Sequence, residues 1–247
     1  MSRVLVTGSA DGLGRLAAES LLGRGHAVVL HARSTARARD LGDLVDRGAS
    51  CVVGDLADRA QVRDLAGQVE ALGGVDAVIH NAGVLDGRAL LPVNVVAPYL
   101  LTALAAPASR PGRVVHLSSG MHAGGSTQLD GVDWSGARPS VSYSTSKLFV
   151  TALSCALARL WPGTLVNAVD PGWVPTRMGG AGAPDDLALG HRTQEWLAVS
   201  DDPEARTTGG YWYHQRRRDP HPAALDPRFQ DDLLARLADA TGVALPA

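Results

Sequence analysis

The sequence predicts an α/β protein built on one doubly wound, mainly parallel sheet of seven strands. Short aliphatic and β-branched runs alternate with helical stretches along the chain, the pattern that parallel strands with crossover helices produce. The first run, Val4-Leu5-Val6, passes into Thr7-Gly8-Ser9-Ala10-Asp11-Gly12-Leu13-Gly14 and then into a helix over Arg15 to Leu22: strand, glycine turn, helix. No internal repeat and no linker rich in Pro, Gly or Ser divides the 247 residues, so 1–247 reads as a single domain.

Strands are expected near Arg3 to Thr7, Ala27 to His31, Cys51 to Gly54, Ala77 to His80, Arg113 to Ser118, Leu165 to Val169 and Gly210 to His214, with helices between them. The first turn carries glycines at 8, 12 and 14. Glycine lets the backbone turn tightly and come close to a ligand, and the amide groups at the positive end of the next helix favour a diphosphate. The spacing is TGxxxGxG, not the GxGxxG of the commoner dinucleotide fingerprint. Val93 to Ala108, the most apolar stretch, is broken by Asn94, Pro98 and Pro107 and is not expected to span a membrane. Gly179 to Pro184 reads as a lid. The doublets Asp185-Asp186, Asp201-Asp202 and Asp231-Asp232 read as helix starts, and Arg216-Arg217-Arg218 as a solvated loop.

Composition narrows the function. A hydrophobic content of 45% can bury a substantial core, and a net charge of −2 from 23 basic and 25 acidic residues offers nucleic acid no basic surface. The two cysteines, Cys51 and Cys155, cannot frame a disulfide scaffold, and the first strand starts almost at Met1, so a cytoplasmic location is expected. The eight histidines lack metal-ligand spacing, and no metal site is expected.

The chemistry centres on Tyr143 and Lys147, one helical turn apart in Tyr143-Ser144-Thr145-Ser146-Lys147. A free phenol titrates near pH 10, too high for easy proton transfer at neutrality, whereas a nearby cation favours phenolate. On this spacing Lys147 is expected to draw the Tyr143 pKa down.

Further motifs occur in order. His80-Asn81-Ala82-Gly83 follows the fourth strand, Asn94 lies in Val93-Asn94-Val95-Val96, Arg113 to Gly120 reads RVVHLSSG, and Asp170-Pro171-Gly172-Trp173-Val174-Pro175-Thr176 follows the sixth strand. With the glycine turn and the Tyr/Lys pair, this series resembles a classical short-chain dehydrogenase/reductase over nearly the whole chain. His80 stands where that family has the first Asn of NNAG. The resemblance implies a Rossmann-type sheet of order 3-2-1-4-5-6-7, with 1–110 mainly the cofactor half and 111–247 the catalytic and substrate half. It implies a carbonyl reductase or alcohol dehydrogenase in which Tyr143 passes a proton to the carbonyl oxygen, Lys147 tunes Tyr143 and binds the nicotinamide ribose, Ser119 holds the oxygen, and Asn94 anchors a relay water. Ser118 competes with Ser119, because neighbouring strand residues face opposite sides; the family takes the second serine.

The resemblance further implies a cofactor site of Gly8, Gly12, Leu13, Gly14, Arg33, Ser34, Asp55, Leu56, Asn81, Ala82, Gly83, Tyr143, Lys147, Pro171, Gly172, Val174 and Thr176. NAD-binding folds usually carry an acid about 20 residues past the glycines. Ser34 stands there instead, and Asp40 is the first acid after Glu19. Arg33 and Ser34 suit a 2′-phosphate, so NADP(H) is preferred and NAD(H) kept as the alternative.

Two intervals depart from the family pattern. Ser119 to Tyr143 spans 24 residues, about twice the usual interval, and places a long loop, Met121 to Ser142, over the substrate. That insert, with Asp133-Trp134, and Gly209-Gly210-Tyr211-Trp212 most resemble the retinol-dehydrogenase-like branch. Gly83 to Asn94 spans only 11 residues, which shortens a helix and leaves a homo-oligomer undetermined. The expected walls, Met121, His122, Trp134, Trp173, Val174 and Met178, favour a small lipophilic carbonyl or alcohol. Alternatives are a pyridine-nucleotide sensor with vestigial catalysis, an NAD-preferring dehydrogenase, and a sugar-nucleotide epimerase, which lacks its added substrate domain here.

Overall fold

In a computed structural model the chain is described over residues 1–246, with the side chains of 106–109, Pro107 among them, outside the description. The first half runs β1 (Arg3–Val6), α1 (Gly12–Gly23), β2 (Ala27–Ala32), α2 (Thr35–Ala38), α3 (Gly42–Asp46), β3 (Ser50–Val53), α4 (Arg59–Ala71), β4 (Ala77–His80) and α5 (Ala97–Ser109). There follow β5 (Arg113–Leu117), α6 (Tyr143–Leu160), β6 (Leu165–Asp170), α7 (Leu187–Val199), β7 (Gly210–Tyr213), β8 (Arg216–Arg218), α8 (Pro222–Leu225) and α9 (Pro227–Thr241).

The sheet has eight strands in the order β3-β2-β1-β4-β5-β6-β7-β8, which corrects the expectation of seven. Seven strands are parallel and β8 returns antiparallel, pairing Tyr213 with Arg216 and Tyr211 with Arg218. His214 and Gln215, at φ of 48° and 59°, make the two-residue turn between β7 and β8, a conformation that matches the twist of a hairpin. The arginine triplet is therefore an edge strand. It escapes sequence reading because all three arginines are exposed, so the strand has no alternating apolar face; charges on an edge also discourage pairing with another chain.

Alternate residues of the strands feed two cores. Leu5, Val29, Val78, Val114 and Val166 pack with α4, α5, α6 and α9, while Val6, Leu30, Ile79, Val115 and Val169 face α1, α3 and α7. The helix α6 is buried from Thr145 to Leu157, which fixes its first turn rigidly beside the sheet. Capping follows local chemistry: Ser142 accepts the Thr145 amide, Asp186 accepts Ala188 and Leu189, and Asp226 accepts Arg228 ahead of Pro227. Of the three acidic doublets, Asp185-Asp186 starts a helix. Asp201-Asp202 lies just before a turn at 203–206, and Asp231-Asp232 lies inside α9, five residues past its actual cap.

The long loop is placed differently from expectation. Leu129, Val132, Trp134 and Val141 pack on the core, Trp134 stacks on Phe149 at 5.8 Å, Arg59 bonds the Trp134 carbonyl, and Arg236 pairs with Asp130. Its middle thus runs over α6 towards α4 and α9. A Cβ at Gly136 would stand 2.5 Å from Pro92, so the loop also closes on the short segment that leads to Asn94.

Candidate active site

The order β3-β2-β1 then β4-β5-β6-β7 puts a switch point between β1 and β4, where a crevice opens at the carboxyl ends of the strands. The glycine turn forms its floor. Gly8 and Gly12 sit at φ of 70° and 56°, and a Cβ at Gly14 would collide with the Gly8 carbonyl and Asn81. Asn81 Nδ2 donates to the Thr7 carbonyl at 2.9 Å, and the Ala82 amide donates to Thr7 Oγ1 at 3.0 Å, tying β4 to the turn. Asp11 stands before α1, yet its carboxylate bonds Arg37 at 2.7 Å rather than the first amides of that helix.

A cleft of about 420 Å³ extends from Arg33 and Arg37, past Asp55, Leu56, Gly12 and Asn81–Gly83, to Lys147, Tyr143, Pro171 and Thr176. These residues fit a nicotinamide dinucleotide. Backbone without side chains lies at the helix start, a pair of guanidinium groups at one end, and a phenol and an amine at the other.

At the catalytic end Lys147 is buried and donates through Nζ to the Leu117 carbonyl at 2.7 Å, with the Tyr143 ring centroid 5.5 Å away. Burial lowers the lysine pKa to about 8 against the support of Asp170. Burial raises Tyr143 to about 12; a hydrogen bond with Ser119 pulls it down and the Asp170 charge pushes it up. Against the expectation drawn from the Tyr/Lys spacing, the shift of Tyr143 is upward, and burial of the phenolate is its largest cause.

The two serines diverge as alternation requires. Ser118 Oγ is 2.7 Å from Thr151 Oγ1 and is turned into α6, whereas Ser119 Oγ accepts the Met121 amide at 3.2 Å and reaches Tyr143. Asn94 lies in a π-helical turn, Pro92–Val96. Its Oδ1 accepts the Val84 amide at 2.9 Å, and its Nδ2 donates to the Val84 carbonyl and to Ser146 Oγ, each at 3.0 Å. One amide hydrogen thus holds the segment after Gly83 and the other ties Asn94 to the first turn of α6.

Gly8, Gly12, Leu13, Arg33, Asp55, Leu56, Asn81, Ala82, Gly83, Tyr143, Lys147, Pro171 and Thr176 line the cleft. Gly14, Ser34, Gly172 and Val174 lie off its wall. Gly14 packs beneath Gly8, Ser34 caps α2, Gly172 abuts Asp185, and Val174 is buried against Gly190. Of the expected substrate walls, Met178 lines the cleft, Met121 and Trp173 are exposed, and Trp134 belongs to the core. His122 is buried, with Nδ1 on the Ser119 carbonyl at 2.8 Å and Nε2 accepting the His221 amide at 2.9 Å. The segment after Gly172 is pinned as well, by Trp173 Nε1 on the Gly179 carbonyl at 2.8 Å and by Asp185 on the Trp173 amide at 2.6 Å.

Sequence reasoning missed three residues. Arg37 lines the cleft with Arg33; its place in the first turn after β2 was the available signal. Asp170 was quoted only as part of a motif, but its Oδ1 accepts the Gly172 amide at 3.0 Å and its charge acts on both Tyr143 and Lys147. His31 lines the cleft and bonds the glycine turn, with no sequence signal beyond its position at the end of β2.

The family model described as short chain dehydrogenase matches residues 2–186. The short-chain dehydrogenase chyC of Penicillium rubens is 36% identical over 262 residues, across 100% of both chains. Retinol dehydrogenase 13 of Homo sapiens is 28% identical, covering 99% of this chain and 86% of its own. Among solved structures, an uncharacterized protein from Mycobacterium paratuberculosis matches with a TM-score of 0.81 at 24% identity, over 100% of this chain and 96% of the other. A blue fluorescent protein from a metagenomic library, in complex with NADPH, matches with a TM-score of 0.69 at 23% identity, over 85% and 95%. Structural likeness at such identity speaks for the fold, while the family model and the fungal relative speak for descent: this chain is an oxidoreductase of the short-chain dehydrogenase/reductase family.

Proposed function

We propose an NADP(H)-dependent carbonyl reductase or alcohol dehydrogenase for small lipophilic substrates. The observation that carries it is one continuous cleft with Arg33 and Arg37 at one end and Tyr143 and Lys147 at the other. Arg33 and Arg37 suit a 2′-phosphate, and the structural relative in complex with NADPH agrees with that preference. Gly8, Gly12 and Leu13 would take the diphosphate, Asp55 and Leu56 the adenine side, and Asn81–Gly83, Lys147, Pro171 and Thr176 the nicotinamide side. When bound, the nicotinamide supplies or accepts the hydride.

The chain's own groups handle the proton. Tyr143, a phenol and so protonated at neutral pH, donates to the carbonyl oxygen; Ser119 orients that oxygen and the phenol together. Lys147 binds the ribose beside Tyr143, and Asn94 acts as a positioning residue that holds Val84 beneath the site. Asp170 braces the Gly172 turn and favours the protonated phenol, which suits reduction.

Lipophilic preference is supported by Met178, Val84, Ala89 and Val93, apolar residues that line the cleft. Kinship with the retinol-dehydrogenase-like branch is supported by the human relative at 28% identity, and the fungal relative at 36% places the chain no nearer to that branch. A cytoplasmic site is supported by free Cys51 and Cys155, and among the described residues no helix is long and apolar enough to cross a membrane. A panel of carbonyls and alcohols, followed by nicotinamide absorbance with both cofactors, tests the reading. Turnover of lipophilic carbonyls with NADPH above NADH is expected; turnover with neither cofactor would sink it.

A further inference from the structure

His31, near the end of β2, is 2% exposed and uses both ring nitrogens. The Gly8 amide donates to Nδ1 at 2.9 Å, and Nε2 lies 2.8 Å from the Gly54 carbonyl. An amide N–H only donates and a carbonyl only accepts, so Nδ1 carries a lone pair and Nε2 carries the proton. One neutral tautomer satisfies both contacts. Through them the ring ties the glycine turn to Gly54 at the end of β3, beside Asp55 and Leu56 of the cleft lining. A second tie runs alongside, with the Ser9 amide donating to the His31 carbonyl and the His31 amide donating to Ser9 Oγ, both at 3.1 Å.

We propose that His31 is a positioning residue of the cofactor site that works only as a neutral imidazole, and so makes dinucleotide affinity fall on acidification. This rests on the reading of the cleft as an NADP(H) site. A proton on Nδ1 would set N–H against the Gly8 N–H, and either the ring or the turn must then move. The turn is the part a diphosphate approaches most closely. The charged group that acts on the ring is Asp55 after β3; Arg33, Arg37 and Asp11 line the same cleft. Burial lowers the His31 pKa from its ordinary value, opposed by the Gly54 contact and by Asp55. The ring is therefore neutral at pH 7, and its contact is lost progressively as the pH falls below the ordinary histidine range.

Calorimetric titration of NADP⁺ into the wild type and His31→Asn, from pH 8 to pH 5 at constant ionic strength, separates this effect from others. Asparagine keeps a short acceptor towards Gly8 and cannot be protonated, and the 2′-phosphate titrates equally in both proteins. The wild-type Kd should rise relative to that of His31→Asn, by up to about tenfold per pH unit, once the pH falls below the point at which the ring takes up its proton. Parallel profiles would overturn the proposal. Imidazole ¹⁵N spectra of the wild type give a readout independent of variant folding. They should show the Nε2–H form, and saturation with NADP⁺ should move the His31 titration to lower pH; an unmoved titration would overturn the proposal too. No binding to the wild type at pH 8 would instead defeat the cofactor reading, and this inference with it.

Discussion

Tyr143 and Lys147 have the most legible chemistry in the sequence, and burial shifts both in the fold. Burial raises the phenol to about 12 and lowers the amine to about 8, and geometry separates their roles: Lys147 Nζ is held on the Leu117 carbonyl while Tyr143 stands beside Ser119 in the cleft. Tyr143→Phe should therefore lower kcat by about 10²-fold or more with little change in NADPH affinity, as stopped-flow turnover and binding titration would show. Undiminished turnover would remove Tyr143 from the role. At the other end of the cleft, losing a charge-assisted contact with a 2′-phosphate costs about 1.5–3 kcal/mol. Arg33→Ala should then raise the NADPH Kd about tenfold or more and leave the NADH Kd nearly unchanged; equal losses would assign the side chain to adenine or to the fold. Arg37→Ala should weaken NADPH less than Arg33→Ala, because both terminal nitrogens of Arg37 already pair with Asp11 and Asp40. Residues whose role follows from their own chemistry, Tyr143, Lys147 and the glycines, were legible before folding. His31, Arg37 and Asp170 were not, since their parts depend on contacts with distant segments: Gly54 for His31, Asp11 for Arg37, and α6 for Asp170.

Among the elements, those with a periodic apolar face were legible and those without one were not. The first six strands announce themselves by aliphatic runs and β7 by its aromatic run Tyr211-Trp212-Tyr213, whereas β8 is three exposed arginines set by a turn of two residues in the left-handed region. The long loop was misplaced for a related reason: its interval revealed its length but not the surface it covers. Trp134 shows the consequence. Stacked on Phe149 and packed on the core, it should act on stability and not on substrate choice. Trp134→Ala should destabilise the protein by about 1–3 kcal/mol in urea unfolding, less than the loss of a fully buried aromatic side chain. The ratio of kcat/KM between large and small carbonyls should stay unchanged. Met178→Ala should do the reverse, reducing kcat/KM for large carbonyls more than for small ones with little change in the unfolding midpoint, because Met178 lines the cleft and is 42% exposed. A size ratio that shifts with Trp134 would return the loop to the substrate.

For the whole molecule, the histidine row across the sheet sets how stability depends on pH. His80 and His116 face each other on β4 and β5 with ring centroids 4.9 Å apart, both buried. His80 bonds Thr102 at 2.8 Å, while neither ring nitrogen of His116 has a hydrogen-bond partner among the described residues. Burial lowers His80 to about 3 and carries His116 well below its ordinary value, with His80 and Lys147 adding to the effect on His116. The unfolded chain takes up protons on these rings near pH 6.5, whereas the folded chain resists them. Their contribution is therefore fully present above pH 6.5 and lost as the pH falls towards the folded values, by up to about 1.4 kcal/mol per pH unit for each ring. His31 and His122, also lowered by burial, act in the same direction. The urea midpoint should accordingly fall between pH 7 and pH 5.5. His116→Leu removes one of the rings and an unsatisfied buried polar group without orphaning any partner, so it should flatten that fall and leave the protein at least as stable at pH 5.5 as the wild type. A variant with the wild-type pH slope would show that His116 keeps its proton equilibrium on folding, which its burial between β5 and α6 argues against.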